Sequence, residues 1–335
     1  MADTAKELAQ ERARRHAIRC ATGRLLRGGV LAIVSSPEMA VIAEKYGARG
    51  VIVAGATGGS KRATDPQAVK GILENIMVPV FARVSVGHTI EGTVMESSFA
   101  DGIDECEILE AASSKHLNYH RLAIPVMSSI SAGSAGAPAA VDSALAAAVQ
   151  GDPASINPAL AGALLGTPAA APGAPPPKET GALDDALKKI FNGAAVLRTA
   201  PPPPILGIVG SPEDMPKIRH LKEIMDALKL NIKTVTEMKP EERAAHAKQK
   251  GYSLALLNQV VRLQRLPVPL FAHGGIMFPL DAAMAMDLGY DGVITSVNVF
   301  QAANPEKRMR SLVLATTHYK HPGFLARITE DHGAA

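Results

Sequence analysis

The chain has 335 residues, 47% apolar and 20% charged, enough for one large domain or two small ones with a full core. Its formal charge of +3 arises from 35 basic and 32 acidic residues that are interspersed, which excludes the dense basic surface of a nucleic-acid binder. No apolar run reaches the roughly 18 residues of a bilayer span, and Cys20 and Cys106 are too few for a disulfide framework, so a cytoplasmic protein without a membrane anchor is expected.

Residues 1–26 read as a charged helical extension. They lack the apolar stretch of a secretory signal, and Asp3, Glu7 and Glu11 among the arginines argue against a mitochondrial presequence. Apolar, β-branched runs then recur at Val30–Val34, Gly50–Ala54, Val78–Ala82, Gly102–Asp104, Ala123–Met127, Ala194–Arg198, Val268–Ala272 and Gly292–Thr295. Amphipathic stretches lie between them, at Pro37–Tyr46, Pro66–Ile76, Ile90–Phe99, Leu183–Phe191, Asp214–Leu228 and Leu280–Leu288. Strands alternating with helices predict a parallel sheet, and eight of them predict a (β/α)8 TIM barrel of class α/β.

Residues 131–182 interrupt the rhythm. They are rich in Ala, Pro, Gly and Ser, with too little bulky apolar surface to offset ordering, and read as a disordered insertion. It divides the barrel into a first part, 27–130, and a second part, 183–335. Pro201–Pro204 follow the expected sixth strand; four prolines lack the N–H groups a phosphate-cradling loop requires.

One residue stands out among the expected strands. Arg83 sits near the C-terminal end of the third, where barrel chemistry is carried out. A cation there needs a partner. Asp104 or Glu105 can supply one as an ion pair, and a bound anion is the other reading. In strand four, alternation puts Asp104 on one side and Glu105 and Glu107 on the other. Cys106 reads as a buried, inert thiol. His116 and His120 have the i, i+4 spacing of a helical metal pair but no third ligand, so no metal is expected.

Several motifs together carry a family resemblance. They are Arg27-Gly-Gly-Val30, Val78-Pro-Val80 with Val86-Gly-His88, Gly102-Ile-Asp-Glu-Cys-Glu-Ile-Leu109, His116-Leu-Asn118 and Val196-Leu-Arg-Thr199. Ile218-Arg-His220, Phe271-Ala-His-Gly-Gly275, Pro279–Ala283 through Val293, and Ala315-Thr-Thr-His-Tyr319 continue the series in order. The chain resembles the synthase subunit of the glutaminase-dependent pyridoxal 5′-phosphate (vitamin B6) synthase, a lyase-type family. That resemblance implies a barrel assembled into hexamers and dodecamers. It also implies condensation of ribose 5-phosphate, glyceraldehyde 3-phosphate and glutamine-derived ammonia through lysine imines.

Transferred residue by residue, the implied chemistry is missing. The first-strand aspartate falls on Ile33, the first imine lysine on Arg83 and the second on Ala200. Guanidinium stays protonated, with a pKa above about 12, and is no amine nucleophile. Alanine offers nothing, and Ile33 removes a carboxylate able to move protons. The glycine-rich loop after the second lysine becomes Pro201–Pro204 and Ile205–Gly210, and the phosphate-binding Gly-Ser after strand eight becomes Ser296-Val297.

Retained features that the resemblance connects with phosphate are Gly274, Gly275 and Arg219, with Arg83 beside them, while His273 takes a position that is usually small. The expectation is a non-catalytic subunit that co-assembles with active synthase paralogues, with no catalytic residues and no cofactor. The glutaminase subunit and a sugar phosphate are further expected partners. The alternatives are an active synthase subunit or a barrel acting on another phosphosugar.

Overall fold

Near-continuous apolar runs suit strands covered on both faces, by the barrel interior on one side and a helix layer on the other. The computed structural model describes residues 21–54, 63–106, 109, 112, 117, 122–130, 205–208, 218–250 and 254–333. Eight strands close into a barrel in chain order. They are β1 (Gly29–Val34), β2 (Gly50–Val53), β3 (Val80–Ser85), β4 (Gly102–Cys106), β5 (Val126–Ile130), β6 (Ile205–Ile208), β7 (Leu270–Ile276) and β8 (Gly292–Thr295). Every neighbouring pair is parallel, and β1 pairs with β8 to complete the closure.

The described helices are α1 (Pro37–Lys45), α2 (Pro66–Leu73), α3 (Thr89–Ser97), α4 (Ile218–Glu237), α5 (Pro240–Lys250), α6 (Leu254–Leu263), α7 (Pro279–Leu288), α8 (Pro305–Thr317) and α9 (Pro322–Gly333). A short 3-10 helix, Val297–Gln301, follows β8. Several start where the chain dictates. Asp65 accepts a hydrogen bond from the Gln67 N–H at 3.0 Å and Pro66 opens α2; Asn304 caps α8 through the Lys307 N–H at 3.1 Å, ahead of Pro305.

Alternation along the strands sorts the core into two. Outward residues Val30, Ala32, Val34, Val51, Val53, Val80, Ala82 and Val84 join the helix layer. Inward residues Leu31, Ile33, Ile52, Phe81, Met127, Phe271 and Ile294, with Leu26 at the base, fill the barrel. With no Trp in the chain, two phenylalanines provide the bulk. Phe81 on β3 lies level with Gly102 on β4, and Phe271 on β7 level with Gly292 on β8. A Cβ at either glycine would overlap the neighbouring ring, so each ring occupies the space its glycine leaves. At the opposite end from the C-terminal mouth, Asp291 accepts from Arg265 Nη2 at 2.6 Å and from the Leu270 N–H at 3.0 Å.

Some expectations shift. The sixth strand of the barrel is Ile205–Ile208, hydrogen-bonded between β5 and β7, whereas Ala194–Arg198 was expected there. Ile205–Ile208 can hold a central position because, unlike the prolines before it, it has an N–H at every residue. Ala200 therefore precedes β6 in the chain instead of following it. The third, fourth and fifth strands extend further toward their C-terminal ends than the apolar runs suggested. Gly274 and Gly275 lie within β7, not after it; a register shift between His273 and Ile276, with Gly274 at φ 142°, marks an irregularity that glycine accommodates. The insertion 131–182, Leu183–Phe191, Ala194–Arg198, Ala200, His116, His120 and Glu107 lie outside the described residues.

Candidate functional site at the C-terminal end of the barrel

Arg83 and His273 occupy corresponding places on opposite walls. Each is the next inward residue beyond a floor phenylalanine, Phe81 or Phe271. β3 and β7 are four strands apart in the closed order, so the two side chains enter the interior from opposite sides. Both are buried, at 7% and 5% exposure. Alternation, not local polarity, brings them inside.

Asp104 is level with Arg83 on the adjacent strand and shares its inward face. Arg83 Nε donates to Asp104 Oδ2 at 2.7 Å, and both side chains are almost fully buried. Of the two carboxylates the sequence offered, Asp104 is the partner. Burial works against the guanidinium charge, but the nearby Cys106 sulfur and the Asp104 carboxylate more than offset it, holding the Arg83 pKa above its ordinary value. Among the described residues, Arg83 Nη2 is buried with no hydrogen-bond partner.

His273 is neutral. Burial first, and the Arg83 charge second, push its pKa down to about 3. Its Nδ1 is also buried with no partner among the described residues. Ile33, which the resemblance aligned with a catalytic aspartate, faces the interior among Leu31, Ile52, Phe81 and Ile294. A carboxylate there would meet an apolar wall.

Glu105 points the other way, as alternation predicted. It is fully buried and accepts from the Gly87 N–H at 2.8 Å, the Leu117 N–H at 2.7 Å and Ser128 Oγ at 2.9 Å. It ties β4 to the chain after β3 and to β5. This is a scaffolding role, and the three donors satisfy a carboxylate that burial would otherwise penalise.

Thr64 is a contributor that sequence reasoning missed. Its Oγ1 donates to the Val53 carbonyl at 2.9 Å and accepts from the Arg83 N–H at 3.0 Å, while its own N–H donates to the Arg83 carbonyl at 2.9 Å. It fastens the segment before α2 across the C-terminal ends of β2 and β3. A lone threonine in a polar loop gives no signal of this.

The residues that the resemblance connects with phosphate sit on separate elements. Gly275 is within β7, and Arg219 is in the first turn of α4. Ser296 caps the 3-10 helix by accepting from the Asn298 N–H at 3.2 Å. Cys106 ends β4, fully buried on the same inward face as Asp104. Among the described residues no cluster of three His, Cys, Asp or Glu side chains is placed to hold a metal, and no helix is long and apolar enough to cross a membrane.

A model of the SOR/SNZ family matches residues 15–137 and 178–273, leaving 138–177 unmatched. A second model, for the thiazole biosynthesis protein ThiG, matches residues 244–333. Among curated relatives, a pyridoxal 5′-phosphate synthase subunit PdxS from Dictyoglomus turgidum is 33% identical, over 92% of this chain and 87% of its own. The PdxS subunit of Thermotoga maritima is 31% identical over 92% and 88%. A probable pyridoxal 5′-phosphate synthase subunit pdx1 from Dictyostelium discoideum is 30% identical over 95% and 87%.

Proposed function

This chain belongs to the SOR/SNZ family, and from that premise we propose that it is a non-catalytic subunit of a pyridoxal 5′-phosphate synthase assembly that associates with active subunits. The observation that carries the reading is the Arg83–Asp104 ion pair at 2.7 Å. Imine formation needs an amine that can lose its proton and attack a carbonyl. At the position aligned with the first such lysine stands a guanidinium, and a buried carboxylate already engages it.

Two further replacements support the reading. Ile33 supplies packing where the family has an acid, and Ala200 offers no nucleophile. The barrel meanwhile keeps its full strand complement and both core layers. Retained scaffold with absent nucleophiles suits a subunit whose contribution is assembly, regulation or stabilisation. Oligomerisation of hexamer or dodecamer type, a glutaminase partner and a cytosolic setting belong to the same proposal.

Co-expression with a catalytically active relative, followed by native mass spectrometry, tests it. Mixed oligomers are the expected result, and separate homo-oligomers would overturn it. Borohydride treatment with ribose 5-phosphate supplies the chemical arm: no covalent adduct is expected on this chain.

A further inference from the structure

We propose that the barrel interior between Arg83 and His273 is a binding site for a small uncharged polyhydroxyl ligand, and that Asp104 is the residue that excludes anions from it. Two independent orphans motivate the site. Among the described residues, Arg83 Nη2 and His273 Nδ1 are both buried without a hydrogen-bond partner, on side chains that enter one interior from opposite strands. Buried polar atoms are nearly always satisfied, by protein, water or ligand, because leaving them bare forfeits their hydration.

The two atoms ask for particular chemistry. A guanidinium N–H only donates, whereas a neutral imidazole nitrogen donates or accepts according to tautomer. A hydroxyl does both, so hydroxyls on one molecule satisfy both atoms whichever tautomer His273 adopts. The surrounding wall is apolar, with Ile33, Ile52 and Met127 in one buried cluster with the two phenylalanines, and suits the C–H edges of an alditol or aldose.

Charge decides against a phosphate. Asp104 contacts Arg83 Nε directly and cancels its charge, and His273 is neutral, so the three groups sum to zero. An anion on Nη2 would meet the Asp104 carboxylate inside a poorly screened interior, where like charges repel strongly. Arg83 thus offers a directional donor without a net charge on the pair. The inference stands apart from subunit partnership: separate homo-oligomers would sink the proposed function and leave this site untouched.

The test uses the full-length chain, with ribitol and inorganic phosphate as probes and binding read by saturation-transfer NMR and ligand-dependent melting. Saturable ribitol binding is expected, weakened about tenfold by Arg83→Met or His273→Phe, as for loss of one hydrogen bond. Phosphate should not bind the unaltered protein but should bind Asp104→Asn, in which Arg83 keeps an uncompensated charge. His273→Phe leaves the ion pair in place and carries the test if Arg83→Met does not fold. Absence of saturable ribitol binding, binding indifferent to the substitutions, or Arg83-dependent phosphate binding to the unaltered protein each overturns the proposal.

Discussion

At the scale of single residues, the Arg83–Asp104 pair sets the strongest expectation. Removing one partner of a buried ion pair strands the other, so Arg83→Met or Asp104→Leu alone should cost about 3–5 kcal/mol in urea unfolding. The double substitution replaces charges with apolar volume and should lie close to the unaltered protein. Additive losses in that double-mutant cycle would show that the contact contributes little. His273 supplies a pH signature. Its folded pKa of about 3 lies below the unfolded value of about 6.5, so the unfolded chain binds the proton first as pH falls. Stability should be flat above about pH 6.5 and decline toward pH 3, and His273→Phe should flatten that decline in acid denaturation. Burial lowers the His332 pKa too, so part of the slope will persist in the variant. Arg83, Asp104 and His273 were all visible as residue types in the sequence. Their convergence was not, because it depends on closing strands distant in the chain.

At the scale of elements, the strands were legible where apolar runs are bounded by turn residues, as at Val30–Val34 and Gly292–Thr295. The sixth was not. Ala194–Arg198 and Ile205–Ile208 are both short apolar runs, and such runs do not declare their partners. Pairing of Ile205–Ile208 with β5 and β7 decides the matter. The connections also matter. Thr64 closes three hydrogen bonds across β2 and β3, and Thr64→Val should remove two of them, costing about 1–3 kcal/mol by chemical denaturation. Gly102 is constrained by its neighbour. Gly102→Ala forces the Phe81 ring out of its place in a filled core, with an expected loss of about 1–3 kcal/mol. An unchanged melting curve for Gly102→Ala would mean that the floor of the barrel yields more easily than its packing implies.

At the scale of the whole molecule, the proposed non-catalytic role rests on separating the family's shape from its reaction. The barrel closes fully, yet the positions aligned with its nucleophiles and acid carry Arg83, Ala200 and Ile33. An Arg83→Lys substitution restores an amine but not its companions, and borohydride trapping with ribose 5-phosphate should still leave the protein's mass unchanged. An adduct would show that one lysine suffices and would count against the non-catalytic reading. What the sequence by itself determined was the alternation of strands and helices and the family motifs, because these follow from local periodicity and residue chemistry. Only the tertiary structure decided that Arg83 spends its charge on Asp104, which donors Glu105 accepts from, and that Arg83 and His273 face one interior. Those outcomes depend on register and closure, which bring together groups up to about 190 positions apart, farther than any local pattern reaches.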